Sequence, residues 1–320
     1  MHDIDVFRPD APGLLSHAEI AAAVGYAAAE KAAATLAAYA SDWKDFSAWC
    51  AARDACPLPA HQGVVAAYLS HLADTGRKAS TIGRRCASIA WHHRQAGIEH
   101  PPTTSPGVRA VLKGIRRTIG AASVPKAPAT HDLIADMLKL CPDSLVGKRD
   151  RALLAFGFAS AMRRSELCAL NVEDVTEMPD GLRVLIRRSK GDQEGVGQEI
   201  AIPRGYKLRP VEALQTWLAA AEIESGAIFR PVLLGGRVQP HAMTPECFSR
   251  RVKLYAEKVG LDPRSYAGHS LRSGYITSAA EAGASIWKMM EQSRHKSLDT
   301  VRGYVRKVDL FREHSGASFL

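Results

Sequence analysis

Apolar residues recur at helical spacing along most of the chain, and one stretch, around 182–202, switches to a period of two. Ala-rich 18–33 has high helix propensity, and 35–53 carries Tyr39, Trp43, Phe46, Trp49 and Cys50 at helical intervals. A break at Cys56-Pro57-Leu58-Pro59 precedes an amphipathic segment, about 61–75, with Val64, Val65, Tyr68, Leu69 and Leu72 inward and Gly76 closing it. Ser80 is the expected N-cap of a helix to about Gln95, and a further helix over about 105–119 ends at Gly120. These segments predict a helical domain over 16–120, behind a tail at 1–15 that Pro9, Pro12 and Gly13 make flexible. The stretch 121–129 (AASVPKAPA) has small residues, two prolines and no periodicity, and is the expected linker.

Beyond it, Thr130 caps a new helix, and the nearly continuous apolar run 149–161 predicts a buried one. Leu182, Val184 and Ile186 then alternate with Arg183 and Arg187, answered by Glu199 to Ile202 across a Gly-rich stretch, the pattern of a β-hairpin. Thr244-Pro245 opens another helix with a capping residue followed by proline. The fold class is therefore mainly α: a helical N-terminal domain, then a mixed, mostly α domain over 130–320 with a small antiparallel β-sheet. No internal repeat is visible.

Composition changes this picture little. At 46% apolar and 23% charged residues the chain is that of a globular protein rather than a disordered one. Its formal charge, 42 − 33 = +9, points towards a polyanionic partner, and 101–120 carries Arg109, Lys113, Arg116 and Arg117 without an acid. The six cysteines form no CxxC pair, so reduced thiols are expected. The N-terminus lacks the basic start and apolar run of a secretory signal, and the Ala-rich 20–40 is too polar to span a bilayer. The expectation is a cytoplasmic, nucleoid-associated protein with no membrane partner.

Five short segments of the second domain carry candidate chemistry. Arg163 and Glu166 lie three apart on a helix, either as a surface ion pair or as a guanidinium held rigid and aimed at a phosphate. Lys190 opens the hairpin turn, where it is either simply solvated or a mobile proton donor. His269 and Arg272 sit one turn apart at a helix start, so both can donate to one anion. His295 lies in Ser293-Arg294-His295-Lys296-Ser297, where local hydrogen bonding is the plainer role. Tyr304 shares an apolar stripe with Val301, Val305 and Val308, so by itself it is a core aromatic.

Their order decides. Arg163, Lys190, His269-x-x-Arg272, His295 and Tyr304, in the contexts AMRRSEL, HSLRSG, SRHKS and GYVR, resemble the complete active-site set of the tyrosine recombinases, the phage-integrase family that includes Cre-type enzymes. The likeness spans most of the chain, since 20–120 also resembles the family's helical core-binding domain. One departure is Ser293-Arg294, where many members have Leu-Gly.

The resemblance implies a site-specific DNA recombinase that forms a 3′-phosphotyrosine through Tyr304 and exchanges strands by way of a Holliday junction in a synaptic tetramer. It assigns Arg163 and Arg272 to the non-bridging phosphate oxygens, His269 and His295 to further contacts with that phosphate, and Lys190 to the leaving 5′ oxygen. Glu166 would hold the first arginine. No cofactor and no metal are expected. Other classes remain at this point: a nicking-and-closing topoisomerase of the tyrosine class, or a sequence-specific DNA-binding protein without catalysis.

DNA contacts are expected along Ser80–Gln95 from Thr81, Arg84, Arg85, Ser88, His92 and His93, in the major groove or to phosphates only, and from Arg250, Arg251 and Lys253. Double-stranded DNA sites, sister protomers and accessory proteins are the implied partners. The tail 308–320, with Leu310, Phe311, Phe319 and Leu320, is expected to link protomers or to fold back on its own domain.

Overall fold

Local capping explains where several helices begin. Ser105 accepts a hydrogen bond from the Val108 amide ahead of Pro106, and Thr244 accepts one from the Cys247 amide ahead of Pro245. The computed structural model describes residues 16–28, 30–120, 125–187 and 196–308. Lys190, the hairpin turn around it, the N-terminal tail and the tail beyond Val308 fall outside the described residues. The chain divides into two compact units, residues 1–124 and 125–320.

In the first unit, α1 spans His17–Ala28, α2 Ala33–Ala51, α3 Gln62–Asp74, α4 Ala79–Gln95 and α5 Pro106–Ile119. Helix α2 packs on α4 and α3 on α5, around Phe46, Val65, Tyr68, Leu69, Ile82, Ile89 and Val108. Fully burying each of these large apolar side chains contributes roughly 1.5–3 kcal/mol, an upper bound because the unfolded chain already shields some of that surface. Ser80 does not cap α4 as expected. Lys78 is the capping position, with extended backbone, and its carbonyl accepts from the Ile82 amide, so Ser80 lies inside the first turn. The expected single helix over 18–33 is also interrupted, ending at Ala28 before α2 starts at Ala33.

In the second unit, α6 is His131–Lys139, α7 Leu145–Ala159 and α8 Arg164–Cys168. Three antiparallel strands follow in the order β1 (Val175–Met178), β2 (Gly181–Ile186) and β3 (Gln198–Pro203). Leu182 pairs with Ile202 and Val184 with Ile200, so the alternation in the sequence puts both apolar sets on the core face. The first strand, β1, was not legible, because it is four residues long and mostly exposed. Then come α9 (Pro210–Ala220), α10 (Pro245–Lys258), α11 (His269–Glu281), α12 (Ile286–Ser293) and α13 (Leu298–Val308).

Helix α7 is the buried centre, packed on α6, α9 and α11. It is not purely apolar. Arg149 and Asp150 are both buried in it and paired at 2.7 Å, and Tyr255 donates to Asp150 at 3.2 Å.

Residues 125–129 of the expected linker 121–129 belong to the second unit. Ala127 and Ala129 donate their amides to the carbonyls of Ser265 and Ser270, and Ala129 is fully buried. Its carbonyl lies so close to Gly274 of α11 that a Cβ there would sit 1.8 Å away. Residues 125–129 therefore brace the helix that carries His269 and Arg272. Periodicity could not show this, because the segment docks through its backbone.

Candidate active site

Glu166 organises the first half of the site. It is the third residue of the short α8, and its Oε2 accepts from the Arg163 amide at 2.8 Å, closing the helix start. Its Oε1 accepts from Arg163 Nη1 at 2.7 Å. The Glu166 side chain is 3% exposed and that of Arg163 is 28% exposed, so the carboxylate is enclosed and the guanidinium it holds reaches solvent. Burial acts to raise the Glu166 pKa, but the charge and hydrogen bond of Arg294, followed by the bonds from Arg163, pull it below the usual carboxylate value.

Arg272, in the first turn of α11, is fully enclosed. Its Nη1 donates at 2.6 Å to the carbonyl of Ala161, a residue in left-handed backbone (φ 47°) that turns its carbonyl towards the arginine. Its Nη2 lies 3.4 Å from Nε2 and 3.2 Å from Nδ1 of His295. Gly268, just before the helix, lets α11 approach α10 and α8. A Cβ there would come within 2.8 Å of Phe248 and 3.0 Å of the Arg164 Cβ.

His295 is held from its other side by Ser293. That hydroxyl donates to the Met289 carbonyl at 2.5 Å and lies 2.7 Å from Nδ1. With its one proton committed to Met289, the hydroxyl accepts from Nδ1–H, and Nε2 is left to accept from Arg272. Burial, then the charges of Arg272, Arg163, His269 and Arg294, bring the His295 pKa down to about 4. The ring is neutral in the free protein. His269 keeps an exposed edge, yet crowding by its neighbours and then the charges of Arg272 and Arg163 lower its pKa also.

Tyr304 lies on α13, half-buried against a small core of Ile276, Ala280, Met289 and Val301. Burial raises its pKa, while the charge of Arg272 pulls the other way. The structure thus brings Arg163, Glu166, His269, Arg272, His295 and Tyr304 into one electrostatic cluster from α8, α11, the segment after α12, and α13. Lys190 lies outside the described residues. Among those residues, no group of three His, Cys, Asp or Glu side chains is placed to hold a metal ion. None of their helices is long and apolar enough to cross a membrane.

One member of the cluster was missed. Arg294 donates through Nη2 to Glu166 Oε2 at 2.7 Å, and its side chain is 4% exposed. The only sequence signal for it was the departure at Ser293-Arg294.

The expected DNA-reading residues fare unevenly. Ser88 is fully buried and donates to the Tyr39 carbonyl at 2.9 Å, which removes it from any surface. His93 is buried too, with Nε2 accepting from the Ala60 amide. Both lie on the inward face of α4, a face the polar pattern did not reveal. Arg85 is spent on Asp42, Asp45 and Tyr68, and Arg84 pairs with Asp42 at 3.1 Å while remaining 46% exposed. His92 stacks on Trp43 with ring centroids 4.3 Å apart, and Thr81 is half-buried. On α10, Arg250 and Lys253 are exposed, whereas Arg251 lies 3.6 Å from the buried Asp150.

Residues 129–310 match the model of the phage integrase family, more than half of the chain. The chain belongs to the phage integrase family. It is 39% identical over 292 residues to an integrase/recombinase, a XerD homologue of Selenomonas ruminantium, covering 89% of this chain and 85% of that protein. It is 24% identical over 288 residues to the recombinase Cre of Escherichia phage P1, covering 83% and 82% of the two. Among solved structures, a post-cleavage complex of the XerH site-specific recombinase on a palindromic difH substrate superposes with a TM-score of 0.60 at 19% identity, covering 81% of this chain and 72% of that one. A lambda integrase dimer bound to a COC′ core site gives 0.59 at 20% identity, covering 90% and 75%. At these identities the two structures show that the fold is shared. The chain is thus an enzyme, a site-specific recombinase of the tyrosine class.

Proposed function

We propose that the chain cleaves and rejoins duplex DNA at specific sites through a covalent 3′-phosphotyrosine on Tyr304, with strands exchanged through a Holliday junction in a tetramer of this protein at the nucleoid. The observation that carries this reading is the gathering of Arg163, held by an enclosed carboxylate, and Arg272 around two histidines, with Tyr304 within the electrostatic reach of Arg272.

A phosphodiester repels nucleophiles, and its pentavalent transition state carries more negative charge. Guanidiniums of Arg163 and Arg272 on the non-bridging oxygens offset that charge in a partly dehydrated site. His269 is neutral because its pKa is lowered, so it is able to take the Tyr304 proton. Tyr304 Oη then bonds to phosphorus, the bond from phosphorus to O5′ breaks, and Lys190 gives O5′ its proton. The bound phosphate offsets the positive charges that, after burial, lower the His295 pKa, and its own charge favours a protonated ring that donates through Nε2. Reversal by a 5′ hydroxyl of another strand restores the phosphodiester. Residues 16–120 act as the core-binding domain and 130–320 as the catalytic domain. Of the expected DNA-contacting cations, Arg84, Arg250 and Lys253 are exposed and available to meet DNA phosphates.

A nicked duplex bearing the target site provides the test, with the denatured product assayed for a protein–DNA adduct. Tyr304→Phe abolishes the adduct and leaves DNA binding intact; an adduct that persists in this variant overturns the assignment. Lys190→Ala slows cleavage of ordinary DNA but is rescued by a 5′-bridging phosphorothiolate, whose leaving group needs no proton. No rescue would remove Lys190 from the role of acid.

A further inference from the structure

Arg294 occupies a position that arginine rarely takes. Its backbone is left-handed, φ 56° and ψ 44°, at the C-cap of α12, a conformation that a Cβ penalises and glycine adopts freely. Despite that cost, its side chain is enclosed, and Nη2 bonds to Glu166 Oε2 at 2.7 Å. That oxygen also accepts from the Arg163 amide, while Oε1 accepts from the Arg163 guanidinium. One carboxylate therefore ties Arg294 to both the backbone and the side chain of Arg163. The remaining donors of Arg294, Nε and Nη1, are enclosed and have no hydrogen-bond partner among the described residues. Even in a buried ion pair, unfilled guanidinium donors are unfavourable, so a residue kept in this state serves something other than local stability.

We propose that Arg294 is a positioning residue for strand cleavage: it clamps Glu166 so that Arg163 is fixed at the scissile phosphate, and it adds a third guanidinium charge to the site. Its Nη2 is committed to Glu166, so Arg294 acts at one remove, through that carboxylate and through its charge. Arg163, Arg272 and Arg294 against Glu166 alone leave a surplus of positive charge, which an incoming phosphate offsets. Small losses of alignment at a transferring phosphate are costly, about 100-fold for a misplacement of about 1 Å. A clamp of this kind therefore acts mainly on the cleavage rate, with little effect on DNA affinity.

This inference rests on the tyrosine-cleavage reading, and the test separates the two. Adduct formation on a nicked duplex is followed in single turnover, over a range of DNA concentrations, for wild type, Arg294→Gly, Arg294→Lys and Glu166→Gln. Glycine suits the left-handed backbone, so Arg294→Gly keeps the fold, as thermal unfolding will show. If it does not, Arg294→Lys gives the same decision. The expected result is a maximal rate lowered about ten-fold or more in Arg294→Gly, unchanged half-saturating DNA, and partial recovery in Arg294→Lys, which restores the charge without the planar fork. Adding Glu166→Gln to Arg294→Gly should cost less than the sum of the two single losses, because the clamp runs through the contact they share. A wild-type rate in the folded Arg294→Gly variant, a defect confined to DNA affinity, or fully additive losses would each overturn the proposal. An adduct that survives Tyr304→Phe would instead overturn the reading beneath it.

Discussion

Each unit of the molecule gathers arginines around acids, and the two gatherings differ in balance. In the first, Arg84 and Arg85 face Asp42 and Asp45, two charges against two, with Tyr68 bonding to both sides. In the second, Arg163 and Arg294 pair with the carboxylate of Glu166, Arg272 lies in its field, and two histidines beside them have lowered pKa values. Matched charge is what a scaffold needs. Unmatched charge, enclosed and held by hydrogen bonds, is what a site for an anion needs, because the missing partner is the substrate.

The largest effect should come from the unbalanced cluster. Arg272→Ala removes an enclosed guanidinium and leaves the Ala161 carbonyl without its donor, so adduct formation should fall about 100- to 1000-fold. A rate within a few-fold of wild type would mean that the surplus charge does not act on the phosphate. In the balanced cluster, Arg85→Lys should leave the adduct rate at wild type and act only on stability.

Glu166→Ala tests the same contrast through folding. Two guanidiniums lose the acid they pair with, and breaking a buried pair costs about 3–5 kcal/mol, readable by denaturant unfolding. A loss under about 1 kcal/mol, the range of exposed pairs, would place the cluster in solvent.

Acid should separate the titrating groups. His295 has a folded pKa of about 4 against an ordinary 6.5, so the unfolded chain takes up the proton first and stability falls as pH drops through that window. Glu166 has a depressed pKa. Its contribution is present above the ordinary 4.5 and is lost as pH falls through the lower folded value. His295→Asn should therefore reduce the slope of the melting curve against pH between 6.5 and 4, where His269 and His93 also contribute, and leave the loss below it. An unchanged slope in that variant would mean the ring is already protonated in the folded protein.

The smallest effect belongs to the balanced unit. Ser88→Ala should cost about 1 kcal/mol, the worth of one buried hydrogen bond, with no change in DNA affinity. A loss of affinity without loss of stability would return Ser88 to the DNA-binding surface.

Ser88 also shows where sequence reasoning stops. Arg84, Arg85, Ser88, His92 and His93 look alike as a polar run, but the structure puts Ser88 and His93 in the core and ties Arg85 to acids. Those partners, Asp42, Asp45 and Tyr39, lie some forty to fifty positions away in sequence, and local pattern carries no information about them. The helices around the cores were legible because burial of one face imposes a period. The brace at 125–129 and the strand β1 were not, because backbone hydrogen bonds fix them and leave no side-chain period behind.

By itself the sequence determined the mainly helical plan, the hairpin pairing of alternating strands, and the set of arginines, histidines and tyrosine whose order marks the family. Those features live in residue identity and spacing, which the chain states directly. Only the tertiary structure decided which arginines are spent on acids and which are left in surplus. It also placed Arg294 beside Glu166, 128 positions away, in a left-handed turn. Charge balance is a property of neighbours in space, and folding alone chooses them.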